Sequence, residues 1–288
     1  MKSRSNSKVK SCIGVIGGSG VYKIDGIKTL KKHKVSTPFG QPSSEVIEAE
    51  INGSSFFFLP RHGKDHQFLP SEVNYRANIF ALKKLGVRYL ISISAVGSLK
   101  EELPPTTFVL PDQFIDWTKG QRQRTFFGKG IVAHVSVAMP VELQLQQIIA
   151  KHCVQVGVRH SVGGSYLCIE GPQFSSKAES AIYRSFGAAV IGMTNVPESY
   201  LAKEAGMAFA TIAMVTDYDC WKEAHCTLPE VMRVMHENNE SAHKILRSLI
   251  PDLAQNLFVF TKENTNAILT PMKKWSAQQK NYLKVLLD

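Results

Sequence analysis

Short β-rich runs alternate with segments of helical pattern along most of this chain, and that alternation restricts the fold more than any single motif. The strand-like runs are IGVI, EVIEAEI, SSFFFLP, YLISIS, TFVLPDQFI, SYLCIEG, AAVIGM and FATIAMVTD. Between several of them lie NYRANIFALKKLG and SSKAESAIYRSFG, each closed by a glycine as a helix C-cap would be, and PESYLAKEAG repeats the design. Strands alternating with helices of roughly 10–15 residues predict an α/β fold around a largely parallel or mixed sheet. The paired runs around Asn52-Gly53 predict a hairpin inserted in that sheet. Thr227-Leu-Pro-Glu230 has the form of a capping box, and Val231, Val234, Met235, Ala242, Ile245, Leu246 and Leu249 follow at near-helical spacing. From about residue 251 the pattern weakens, although NYLKVLL suits an amphipathic helix that needs a partner surface.

No repeat, low-complexity tract or Pro/Ser-rich linker interrupts the 288 residues, so 12–288 reads as one domain. Residues 1–11 are basic, and no apolar core of roughly 7–15 residues follows as in a secretory signal; they read as a disordered tail. No apolar run approaches the roughly 20 residues of a membrane span, so no membrane partner is expected. The five cysteines are scattered, odd in number and without C-x-x-C spacing. That pattern predicts reduced thiols, a cytoplasmic protein and no metal site, the Cys220 and His225-Cys226 cluster included. A net charge of +10 favours acidic partners, from small phosphates to nucleic acid. The excess is spread over the N-terminal tail, LKKHK at 30–34 and the last residues, without any RNP or helix-turn-helix signature. A solvated basic surface is therefore expected, with no nucleic-acid partner.

In open α/β sheets ligands collect at the carboxyl ends of strands. The polar groups ending strand runs here are Gly17-Gly18-Ser19-Gly20, Arg61-His62-Gly63, Ser94-Ala95-Val96-Gly97-Ser98, Met193-Thr194-Asn195 and Thr216-Asp217-Tyr218-Asp219. The first is not a P-loop, because no Lys-Ser/Thr follows, and its glycines miss the G-x-G-x-x-G register. Short hydroxyls, glycine-exposed amides and a guanidinium fork together suit a tetrahedral oxyanion. Asp217 and Asp219, two apart in an extended stretch, would project to one side. Such a pair reads either as a solvated turn or as a partner for a nitrogen heterocycle, accepting its hydrogen bonds or giving it a proton.

The segments GVIGGSG, LPRHGKDH, NYRANIFALKKLG, SAVGSL, DQFID, EGPQFSS, IGMTNVPE and VTDYDCW, in this order, resemble the purine nucleoside phosphorylase family. More narrowly they are similar to its S-methyl-5'-thioadenosine phosphorylase branch, from about Cys12 to Glu223. The resemblance implies a single-domain three-layer α/β sandwich, a central mixed β-sheet flanked by helices, that works without metal or organic cofactor, orthophosphate being a co-substrate. It implies phosphorolysis of 5'-methylthioadenosine to adenine and 5-methylthioribose 1-phosphate, as in purine and methionine salvage. Phosphate would be held by Ser19, Arg61, His62, Ser94, Ala95 and Thr194. Asp217 would protonate the leaving base, and Asp219 would accept from its exocyclic amine. Phe174, Ser175 and Met193 would pack the base and ribose, and His134 would reach the sugar pocket of a neighbouring subunit in a homotrimer. Relatives preferring 6-oxopurines carry Asn at the Asp217 position and Glu at the Ser175 position. Gly192 stands where the animal branch carries Asn, and Ser19 and Ser94 where it commonly carries Thr. The alternatives are a broader phosphorylase acting on adenosine or 6-oxopurine nucleosides and, from a different class, an RNA-binding protein with a degenerate pocket.

Overall fold

The computed structural model describes residues 12–18, 27–222 and 228–288. The tail 1–11, Ser19, Thr227 and the His225-Cys226 pair lie outside the described residues. The strands are β1 (Ile13–Gly17), β2 (Lys28–His33), β3 (Val46–Ile51), β4 (Ser54–Pro60), β5 (Tyr89–Ser98), β6 (Phe108–Leu110), β7 (Gln113–Trp117), β8 (His160–Val162), β9 (Ser165–Ile169), β10 (Val190–Gly192) and β11 (Ala208–Asp217). The helices are α1 (Tyr75–Leu85), α2 (Leu143–Gln155), α3 (Lys177–Ser185), α4 (Asn195–Glu204), α5 (Leu228–Gln255) and α6 (Ala277–Leu287).

One mixed sheet runs β2-β3-β4-β1-β5-β10-β9-β7, and β11 branches from β5 to continue through β6 to β8. The branch point is β5. Its first half lies parallel to both β1 and β11, whereas Ser98 and Gly97 near its end run antiparallel to β10. Strands buried on both faces read as near-continuous apolar runs, and β1, β6 and β10 are buried throughout. Helices flank the sheet: α1 packs with α4 and α6, and α2 with α5 against β11. The expected α/β sandwich is the fold observed.

Local chemistry explains most boundaries. Asn74 caps α1 by accepting from the Ala77 amide, and Gly86 ends it at φ 104° with its N–H on Leu82 and Lys83 carbonyls. Ser176 and Glu179 form a full capping box on α3. Asn52 and Gly53, both left-handed at φ 47° and 79°, make the β3–β4 hairpin turn. The run TFVLPDQFI divides into β6 and β7, because Pro111 has no N–H for the ladder and the two halves choose different partners. Basic β2, α2 and β8 are elements the sequence pattern did not mark. On α5, Val234, Ala242, Ile245, Leu246 and Leu249 are buried as expected. Beyond residue 251 the chain is more ordered than expected: α5 runs through Pro251 to Gln255. The NYLKVLL segment becomes α6, capped by Ser276, with Leu283 and Leu286 fully buried and Tyr282 edge-on to Phe39.

Candidate active site

The carboxyl ends of β1, β4, β5, β10 and β11 meet around a cavity of about 480 Å³, with Val231 and Met235 of α5 on its wall. Arg61, His62, Ser94, Ala95, Thr194, Met193, Phe174, Ser175, Asp217 and Asp219 all line it. His134 does not; it is exposed on a segment whose backbone pairs with residues 267–269.

At one end the hydroxyls gather. Ser94 Oγ lies 3.2 Å from Thr194 Oγ1 and 3.2 Å from the Tyr166 hydroxyl. Beside them Arg61 is 2% exposed, and its fork is directed at Glu198, not at the cavity. Nε donates to Glu198 Oε2 at 2.7 Å and Nη2 to Oε1 at 2.9 Å, while Nη1 donates to the Ile93 carbonyl at 3.0 Å. Burial opposes the guanidinium charge, but the Glu198 carboxylate more than offsets it and holds the pKa above its ordinary value. Ser92 joins the pair, accepting from Arg61 and Asn195 and donating to Glu198. Of the five guanidinium hydrogens, one on Nη1 is not used by these bonds among the described residues. The fork that the sequence reading assigned to an anion is taken by Glu198.

His62 Nδ1 sits 2.9 Å from the Phe68 carbonyl, which can only accept, so that nitrogen carries the hydrogen. Burial, then the Arg61 charge, lowers the His62 pKa to about 4. The ring is neutral at physiological pH, stacked 4.5 Å from His66.

At the other end Asp217 Oδ2 accepts from Thr216 Oγ1 at 2.6 Å, and Oδ1 accepts from the Asp219 amide at 2.7 Å. The β5–β11 register slips at Thr216, so Val215 opposes Val96 while Asp217 opposes Gly97. Asp219 has φ 54° and lies beyond the end of β11. The two acids therefore share the cavity through a turn and not through strand alternation. The Ser175 hydroxyl oxygen is buried without a hydrogen-bond partner among the described residues.

Two supporting groups escaped the sequence. Glu198 sits in the quoted IGMTNVPE segment, but nothing local tied it to Arg61, 137 residues away. Arg122, buried, donates to the carbonyls of Met193 (2.6 Å), Val196 (2.7 Å) and Glu170 (2.8 Å) and to Glu170 Oε1 at 3.1 Å. It ties together the loops carrying Thr194 and Phe174, yet within QRQR it reads as solvated charge. Among the described residues no three His, Cys, Asp or Glu side chains gather as metal ligands, and no helix is long and apolar enough to cross a membrane.

A family model described as the phosphorylase superfamily matches residues 12–251. The chain belongs to this superfamily. It is 52% identical over 248 residues to the S-methyl-5'-thioadenosine phosphorylase of Thermofilum pendens, covering 86% of this chain and 94% of that one. To the protein of the same name from Synechocystis it is 44% identical over 291 residues, covering 99% and 89%. Among solved structures, a methylthioadenosine phosphorylase from an Antarctic soil metagenomic library superposes with TM-score 0.92 at 43% identity, covering 96% of this chain and 99% of that one. The Schistosoma mansoni methylthioadenosine phosphorylase in complex with adenine gives TM-score 0.80 at 33% identity, covering 96% and 97%.

Proposed function

We propose that the protein catalyses phosphorolysis of 5'-methylthioadenosine, giving adenine and 5-methylthioribose 1-phosphate with orthophosphate as co-substrate. The observation that carries this reading is one cavity with clustered hydroxyls at one end and the Asp217–Asp219 pair at the other. Relatives of that name over nearly the whole chain support it.

In this reading Ser94, Thr194, the Ala95 backbone, the spare Arg61 hydrogen and Ser19 donate to phosphate beneath the sugar, and the bare Nε2 of neutral His62 accepts the hydroxyl of a monohydrogen phosphate. A phosphate oxygen forms the bond to the anomeric carbon as the glycosidic C–N bond breaks and its electron pair leaves with the purine. Positive charge develops on the sugar next to the bound anion, which stabilises it and supplies the nucleophile. Asp217, as the acid, gives a proton to the imidazole-side nitrogen of the departing base and is reprotonated afterwards, while Asp219 accepts from the exocyclic amine. The Ser175 oxygen, buried and unpaired among the described residues, suits a hydrogen bond to the base edge. Phe174, 80% exposed in the single chain, and Met193 pack base and ribose.

The same reading extends to assembly. Val132 (50% exposed) and Leu269 (65%) flank His134 on the paired 132–134 and 267–269 segments. We read this apolar strip as the contact with a neighbouring copy in a homotrimer, where His134 reaches the neighbour's sugar pocket. Cys12, Cys153, Cys168 and Cys220 are all free thiols, which supports a reducing, cytoplasmic setting.

Base release from 5'-methylthioadenosine, adenosine and inosine, each with and without phosphate, tests the function. Phosphate-dependent release favouring the two adenine nucleosides is expected. Equal rates on all three would support the broader phosphorylase, and salt-sensitive RNA binding without base release would support the unrelated class.

A further inference from the structure

Tyr166 is the second residue of β9, wholly buried and behind the cavity wall. Its phenolic oxygen is 3.2 Å from Ser94 Oγ, which is in turn 3.2 Å from Thr194 Oγ1. Burial pushes the Tyr166 pKa up to about 12, so the phenol keeps its proton at any working pH. Room for this ring comes from Gly192: a Cβ there would overlap the Tyr166 hydroxyl and lie 3.1 Å from Val96 Cγ1.

Hydroxyl bookkeeping gives the contact a direction. Ser94 and Thr194 each own one hydrogen, and their mutual contact tempts one to spend it on the other. Ser94 Oγ also donates to the Ala95 carbonyl at 3.3 Å, a long contact that a bound oxyanion would have to outcompete for the same hydrogen. A donor placed against the Ser94 oxygen occupies a lone pair that the Thr194 hydrogen would otherwise use, and leaves both hydroxyl hydrogens for an oxyanion. Tyr166 has a proton to give and no access to the ligand.

We infer that Tyr166 is a positioning residue of the oxyanion site, donating its phenolic hydrogen to Ser94 so that the Ser94 and Thr194 hydrogens turn toward phosphate. The inference rests on the phosphorolytic reading of this cavity and adds to it a residue that touches no substrate. Gly192 belongs to the same device, because the phenol occupies the volume a side chain there would fill.

The test is Tyr166→Phe, which removes one oxygen and leaves the ring in place. The KM for phosphate is expected to rise about tenfold, the effect of one hydrogen bond worth about 1.4 kcal/mol. The KM for 5'-methylthioadenosine and the melting temperature should stay near wild type. Ser94→Ala should raise the phosphate KM as well, and adding Tyr166→Phe to it should cost less than the single change does. A phosphate KM within twofold of wild type in Tyr166→Phe overturns the inference, as does a parallel rise in both KM values with a fall in melting temperature. A wild type releasing adenine equally well without phosphate would instead contradict the function, and the inference with it.

Discussion

Asp217 Oδ1 accepts the backbone N–H of Asp219 at 2.7 Å, directly over Gly97, whose missing side chain leaves the space for it. This bond sets the plane of the first carboxylate and turns the chain so that the second acid enters the same cavity. In the proposed reaction Asp217 then serves as the acid and Asp219 as the acceptor for the base.

Asp217→Asn replaces one acceptor oxygen with an amide donor. Turnover of 5'-methylthioadenosine should fall by about 10²–10⁴-fold, the usual worth of general-acid help. Relative activity on inosine should rise, because a 6-oxo group can accept from the new amide. Ratios of kcat/KM for the two nucleosides check this, and an unchanged ratio would contradict the assignment of Asp217.

Gly97→Ala probes the space beneath that carboxylate. A Cβ would meet Asp217 Oδ1 at 3.1 Å, Ile191 Cγ2 at 3.1 Å and the Asp219 amide at 3.2 Å. The acids must shift by some tenths of an ångström, enough to disturb a reacting geometry. The expected result is about a tenfold loss in kcat/KM for the nucleoside, in line with one weakened hydrogen bond, with phosphate KM unchanged. Steady-state kinetics with each substrate varied in turn would read the split.

His62 makes stability depend on pH in the acid range. Its folded pKa, lowered to about 4 by burial and then by Arg61, lies below the 6.5 of the free side chain. The unfolded chain therefore binds the extra proton first as pH falls. The contribution is present above pH 6.5 and is lost progressively as pH drops toward 4. Its ceiling is on the order of 3 kcal/mol. Denaturant melts without phosphate should show wild type losing more stability than His62→Gln over this window. Parallel curves would contradict a buried neutral ring.

Local signals were legible in the sequence and distant pairings were not. The Gly86 C-cap and the Asn52-Gly53 turn could be read because their chemistry acts within a few residues. β2 could not, since an exposed edge strand held only by β3 needs no apolar alternation. The cavity residues on strand ends were found from their position after apolar runs. The aim of Arg61 was not, because Glu198 approaches from α4 and takes the fork. Asp219 faces the cavity for a reason that spacing alone misstates: its backbone is left-handed, not extended. Tyr166 reads as an ordinary strand aromatic until Ser94 and Gly192 are placed around it.

Assembly is open to direct weighing. Light scattering after gel filtration should give the mass of three chains, and Val132→Asp with Leu269→Asp should shift it toward one. Such a monomer should also lose nucleoside affinity if His134 serves a neighbouring cavity. A trimer-disrupting change that leaves the nucleoside KM untouched would remove His134 from the site.

The most direct measurement follows both products of 5'-methylthioadenosine turnover, with and without orthophosphate. Adenine should appear only when phosphate is present, with 5-methylthioribose 1-phosphate formed mole for mole. Adenine released at the same rate in phosphate-free buffer, accompanied by free 5-methylthioribose, would contradict a cavity built to bring an oxyanion to the sugar.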